Sequence, residues 1–126
     1  MKKIITTDKA PAPIGPYSQA VLVGNMLYTS GQIAINPKTG TLVLNNIQDE
    51  TNQVMQNIKA ILEASNMTFE NVIKTSIFIS DMNDFAEINK IYGSYFDEDT
   101  APARETVQVA RLPKDVNVEI SMIAVY

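Results

Sequence analysis

Pro102-Ala-Arg-Glu-Thr-Val-Gln-Val-Ala-Arg-Leu-Pro-Lys-Asp-Val-Asn-Val-Glu-Ile120 is the stretch on which the fold turns. It holds two β-branched runs, Glu105 to Ala110 and Val116 onward to Val125, separated by the turn-like Leu112-Pro-Lys-Asp115. Successive side chains of a strand point to opposite faces, so Val118, Ile120 and Met122 face one way and Ile123 and Val125 the other. A strand apolar on both faces needs a cover on both. Two charges are set into these runs. Alternation puts Arg104 with Thr106, opposite Glu105 and Val107, and puts Glu119 with Asn117 and Ser121. If the two strands pair as neighbours, Arg104 and Glu119 open onto a common edge of the sheet. Arg104 and Arg111 are the only arginines. A guanidinium grips a carboxylate or phosphate through two parallel hydrogen bonds, which a lysine cannot do. The ordinary alternative for such an arginine is a rim ion pair with one of the fourteen acids.

Upstream, Val72 to Ser80 is another two-faced strand, with Val72 and Phe78 opposite Ile73, Ile77 and Ile79. The period changes before it. Ile47, Thr51, Val54, Met55, Ile58, Ile61 and Leu62 recur at helical spacing, with Gln, Asn, Lys and Glu on the opposite side, and this helix ends near Ser65-Asn66. Asp81 to Asn83 caps a second helix carrying Phe85, Ile88, Ile91, Tyr92 and Tyr95. At the amino end, Lys2 to Thr6 reads as a short strand, and Pro11, Pro13, Gly15 and Pro16 impose a rigid extended loop. Tyr17 to Val23 and Met26 to Ser30 form a hairpin about Gly24-Asn25, and a turn at Asn36 to Gly40 precedes the short run Thr41 to Leu44. The order β-β-β-α-β-α-β-β predicts one α+β domain over residues 1–126, a mixed sheet with two helices on one face. The helices cannot cover the other face, so a second copy of the chain is expected there.

Composition narrows the chemistry. With 45% hydrophobic and 19% charged residues the chain is an ordinary globular one. A net charge of −4 and a pI near 4.7 give no footprint for nucleic acid. There is no cysteine and no histidine, which removes thiolate nucleophiles, disulfides, imidazole bases and most zinc sites. Catalysis would rest on carboxylates, hydroxyls, backbone groups or water. Met1-Lys-Lys-Ile-Ile-Thr-Thr-Asp8 lacks the apolar core of a signal peptide, and no stretch approaches the ~18 apolar residues of a membrane span. A cytoplasmic protein is expected, with no membrane partner.

Ile14-Gly-Pro-Tyr-Ser-Gln-Ala20, Thr29-Ser-Gly-Gln-Ile33, Asn36-Pro-Lys-Thr-Gly40, Asp81-Met-Asn-Asp-Phe85 and Pro102-Ala-Arg with Val109-Ala-Arg-Leu-Pro-Lys-Asp115 together resemble the Rid proteins, the reactive intermediate deaminases or YjgF family. The resemblance runs from the first strand to the last. It implies a chorismate-mutase-like fold and a homotrimer with a central β-barrel and three clefts between subunits. It also implies hydrolysis of enamines and imines such as 2-aminoacrylate, 2-iminopropanoate and 2-iminobutanoate to 2-keto acids and ammonia, without cofactor or metal. Such intermediates are released by pyridoxal-phosphate enzymes, which the activity would protect. By the same resemblance Arg104 holds the substrate carboxylate and Glu119 positions the attacking water. Tyr17, Asn89, Ser30 and Gly31 then line the cleft. Taken on their own, Tyr17 reads equally as a core or rim aromatic, Asn89 as a solvated helix residue, and Ser30-Gly31 as a strand end or bulge.

The chain departs from the family at two places. Many members carry Ser-Cys-Val after Pro-Ala-Arg, where this chain has Glu105-Thr106-Val107, so Thr106 stands where the cleft cysteine is common. Its backbone N–H is still expected to bind a carboxylate oxygen. Ser121 occupies a position where an acid is frequent. The competing reading is a trimer that binds a 2-keto acid at Arg104 without turnover. The presence of Glu119 favours the enzyme, because a sensor has no use for a water-holding acid. An endoribonuclease or translation inhibitor, proposed for relatives, fits poorly with the acidic pI and absent histidine.

Overall fold

The computed structural model describes residues 1–126. Its regular elements are β1 (Lys2–Ile5), β2 (Ala20–Val23), β3 (Met26–Thr29), α1 (Ile47–Ala64), β4 (Val72–Ile79), α2 (Phe85–Gly93), β5 (Ala103–Gln108) and β6 (Val118–Val125). The strands form one sheet in the order β1-β2-β3-β6-β4-β5, antiparallel except for the parallel pair β4 and β5. The α+β class and the mixed sheet are as expected.

Local signals account for the elements. Gly24 takes φ +60° in the two-residue turn that joins β2 to β3, a conformation glycine adopts without penalty. Asn46 caps α1, its Oδ1 accepting from the Asp49 N–H at 2.7 Å. Asp81 opens a short 3₁₀ turn that leads into α2, its carboxylate accepting from the Asn83 N–H at 2.9 Å. Both helices lie on one side of the sheet. Val54, Met55, Ile58, Ile61 and Leu62 of α1 and Ile88 of α2 close over Ile77, Ile79, Val118, Ile120 and Met122, all buried.

The other face has no cover within the chain. Ile4, Val21, Tyr28 and Ile123 stand in register across β1, β2, β3 and β6, and Val23, Met26 and Val125 form a second row. Ile4, Val23 and Tyr28 are nearly half exposed, an apolar surface of the kind that marks an interface.

Two expectations, on Ile73 and on the acids of α1, need correction, and the open condition on strand pairing is settled. β5 and β6 are not neighbours, because β4 lies between them. The apolar content explains this: β6 belongs at the centre, paired on both edges, while β5 is exposed along nearly all its length and suits a sheet edge. Ile73 does not join Ile77 and Ile79. The pairing with β6 slips between Val72 and Lys74, and this extra residue inverts the alternation, burying Val72 and exposing Ile73. Thr41 to Leu44, left out of the expected strand order, indeed adds no strand to the sheet and makes only a bridge from Leu42 to Ile35, the Asn36–Gly40 turn folding it back as a separate ribbon. Glu50 is not on the solvated side of α1. It is fully buried, its carboxylate accepting from the Asn117 N–H and Nδ2, both at 2.7 Å, and from the Val118 N–H at 3.3 Å. Those backbone donors open β6 and lack sheet partners of their own, so burying the acid satisfies them.

Candidate functional site

Glu119 lies on the uncovered face of β6. Beside it, the segment Ser30–Gln32 is held by reciprocal bonds between Gln32 and Ile120, N–H to carbonyl at 2.8 and 3.1 Å. This brings the carboxylate against Gly31 so closely that a Cβ there would sit 2.2 Å from Oε1 and 2.8 Å from Cδ. Only glycine fits. The Gly31 N–H donates no hydrogen bond within the chain. The Glu119 carboxylate, half-buried, accepts no hydrogen bond and pairs with no cation, and burial pushes its pKa above the ordinary glutamate range.

The proline-rich loop forms the opposite wall. Buried Gln19 anchors it, accepting from the Thr7 N–H at 2.7 Å and donating to the carbonyls of Thr7, Ala10 and Pro11 at 2.9, 3.2 and 2.9 Å. Tyr17 follows, about half exposed, its hydroxyl 3.4 Å from the Ile14 N–H. Pro113 closes the rim from a turn in which Lys114 and Asp115 both take left-handed φ, 55° and 57°. Arg111 clamps that turn, its Nε donating to Asp115 Oδ1 at 2.5 Å and its Nη2 to Oδ2 at 3.2 Å. The guanidinium holds the Asp115 carboxyl below its usual range. The cleft between these walls, open to solvent, measures about 360 Å³.

Arg104 stands on the helix side of edge strand β5. Its Cζ lies 5.1 Å from the Tyr92 ring centroid and 5.7 Å from that of Phe85, and its Nη1 donates to Asn89 Oδ1 at 2.6 Å. The aromatic faces attract the cation and Asn89 orients it. No carboxylate pairs with it; of the two arginines, the rim ion pair belongs to Arg111. Burial raises the Tyr92 pKa, opposed by a hydrogen bond to Thr75 and by the Arg104 charge. Thr106 shares this face, and its hydroxyl oxygen is buried without a hydrogen-bond partner. Glu105 points the other way, paired with Lys74 at 2.7 Å and accepting from Ser76. The Lys74 and Ser76 hydrogen bonds hold its carboxyl below the usual range.

The residues singled out from sequence therefore fall into two groups. Tyr17, Ser30, Gly31 and Glu119 line one cleft. Asn89 and Arg104 border another depression, with Thr106 farther along the same strand. Arg104 and Glu119, which would open onto a common edge were β5 and β6 neighbours, do not meet within a single chain. Arg104 is opposite Thr75, whose side chain is buried under the helices, and Glu119 is opposite Phe78 of the other face. Ser30 also uses its hydroxyl proton locally, donating to the Ser18 carbonyl at 2.5 Å. Sequence reading missed Ile33, Ile35 and Pro113 as cleft walls; the alternation of Gln32-Ile-Ala-Ile35 was the available signal, since buried Gln32 and Ala34 turn Ile33 and Ile35 the other way. No three or more His, Cys, Asp or Glu side chains gather as a metal-ligand set.

The family profile described as Endoribonuclease L-PSP matches residues 7–126. A RutC family protein of Pyrococcus horikoshii is 55% identical over 124 residues, 98% of each chain. TdcF of Escherichia coli K12, provisionally named a reactive intermediate deaminase, is 50% identical over 127 residues, 99% of this chain and 98% of its own. The crystal structure of E. coli TdcF with bound serine superposes with a TM-score of 0.93 at 49% identity, covering 98% of both chains. YyfA of Yersinia pestis, described as a protein of unknown function of the conserved Rid family, gives a TM-score of 0.97 at 48% identity over all of both chains.

Proposed function

The chain belongs to the endoribonuclease L-PSP family, which takes in the RutC and Rid proteins, and on that premise we propose that it hydrolyses enamines and 2-imino acids to 2-keto acids and ammonia. The observation that carries this reading is the uncommitted carboxylate of Glu119, pressed on Gly31 inside a cleft. Its complement is the guanidinium of Arg104, which pairs with no carboxylate and is aimed by Asn89. The two lie on opposite faces of one chain, so the reading includes a second copy whose Arg104 reaches the Glu119 cleft. The apolar rows through Tyr28 and Ile123 supply the surface that such a copy covers, and three copies closing in a ring give a trimer with three clefts. TdcF bound to serine, a ligand with a carboxylate, supports the same class of small molecule.

In this site Arg104 of one copy takes the substrate carboxylate through paired hydrogen bonds, held in aim by Asn89. The free N–H of Gly31 and the hydroxyl of Tyr17 bound the reacting carbon. Glu119 orients a water and accepts its proton as oxygen attacks C2. The C–O bond forms while the C=N π pair moves to nitrogen, giving a carbinolamine. For a substrate bound as the iminium ion the carbinolamine is neutral: the proton on Glu119 passes to its nitrogen, the C–N bond breaks as ammonia leaves, and the hydroxyl proton returns to the Glu119 carboxylate as the keto group forms, passing from there to water. An enamine enters the sequence after protonation at C3. The raised Glu119 pKa suits this exchange, because a base nearer neutrality takes and returns a proton more readily. Neither half-site contains a lysine, and Arg104 is the only cation bordering either, which speaks against an RNA backbone as substrate.

The test is time-resolved release of ammonia and keto acid from 2-aminoacrylate generated in place. Acceleration over the spontaneous rate, lost in Glu119→Gln, is expected. Binding of a 2-keto acid with no acceleration would favour the regulatory trimer.

A further inference from the structure

The cleft beside Glu119 has a composition that bears on which imino acids fit. Apart from the residues already given roles, its walls are Pro11, Ala12, Ile14, Ile33, Ile35 and Pro113, and Glu119 is the only charged side chain in it. Its volume of about 360 Å³ lies within the range of pockets that hold ligands much larger than a three-carbon acid. The carboxylate end of the substrate is drawn outward, toward the second copy's arginine. The substituent on C2 is then left to run along this chain's own wall.

We infer that the enzyme prefers 2-imino acids with branched or extended apolar side chains over 2-iminopropanoate, and rejects those with an acidic side chain. The inference rests on the deaminase reading above and adds its substrate class. A methyl group leaves the Ile33 and Ile35 surfaces in contact with water, whereas an isobutyl group removes that surface and its own from water. A single methylene in a hydrophobic pocket is worth roughly tenfold to two-hundredfold in selectivity. A second carboxylate would face Glu119 along a wall where this chain offers no cation, the second copy's Arg104 being taken up by the first carboxylate, so like-charge repulsion excludes it. Ile14 sets the outer end of this wall from the Gln19-anchored loop. At 67% exposed it can be changed without touching the core.

The experiment supplies imines in place with an L-amino-acid oxidase acting on alanine, leucine and glutamate, and reads their loss by semicarbazone capture. The leucine-derived imine is expected to show kcat/KM at least about tenfold above the alanine-derived one, with the glutamate-derived imine slowest. Ile14→Ser should lower the leucine-to-alanine ratio by threefold or more. A wild-type ratio of one or below, or glutamate-derived imine consumed as fast as leucine-derived, overturns the inference while leaving the deaminase reading intact. An unchanged ratio in Ile14→Ser overturns the wall assignment. Acceleration of none of the three imines overturns both readings.

Discussion

Glu119 and Arg104 are both charges set into β-strands, and the chain gives them opposite surroundings. Glu119 sits on a central strand, half-buried and unpaired, with a glycine backbone against its carboxylate. Arg104 sits on an edge strand, solvent-exposed, resting over aromatic rings and steered by Asn89. The anionic half is thus fixed by the sheet and costs the fold stability. The cationic half is presented outward at little cost. In the proposed scheme these two half-sites, on opposite faces, become one catalytic unit when copies assemble.

The largest effect should come from the anionic half. Glu119→Gln keeps the size and one acceptor but cannot take a proton, and a turnover loss of roughly 10²-fold or more on 2-iminopropanoate is expected, with keto-acid affinity retained. Equal turnover of variant and wild type would remove Glu119 from the chemistry. Gly31→Ala should be comparably damaging, since its Cβ would lie 2.2 Å from Oε1 and must displace the carboxylate; steady-state kinetics beside a normal far-UV spectrum would show it.

On the cationic half, Arg104→Lys exchanges a fork for a point charge and should lower kcat/KM roughly tenfold to a hundredfold. The comparison itself is put at risk by mixing. Arg104→Lys and Glu119→Gln chains, unfolded together and refolded, should regain roughly a quarter of wild-type activity if each cleft draws its two charges from different copies. No recovery, or light scattering that shows a monomer, would return both charges to one chain and break the scheme.

The smallest effect is on stability. Because burial raises the Glu119 pKa in the folded protein, the folded state binds the proton more tightly than the unfolded state does. Wild-type stability therefore falls as pH rises from the ordinary glutamate value through the raised one. Glu119→Gln, which does not titrate, lacks this pH dependence. Its melting temperature should exceed the wild-type value at neutral pH, with the gap shrinking as pH falls through that window. A structural ion pair at Glu119 would give the reverse sign.

Sequence alone determined the order of strands and helices, the two-faced character of β6, and the family, because periodicity, turn residues and motif order are local properties of the chain. Alternation also correctly put Arg104 with Thr106 and Glu119 with Ser121. What it could not decide was which strands are neighbours, since pairing depends on residues far apart in the chain. The interposed β4 and the parallel β4–β5 pair separate Arg104 from Glu119. One extra residue near Ile73 inverts a face that strict alternation assigns the other way. Glu50 reads as a surface acid until the unpaired N–H groups of Asn117 and Val118 are brought to it by the packing of α1 on β6. In each case a side chain's direction is written locally, whereas what it meets is set by tertiary contacts that bury or satisfy groups from distant segments.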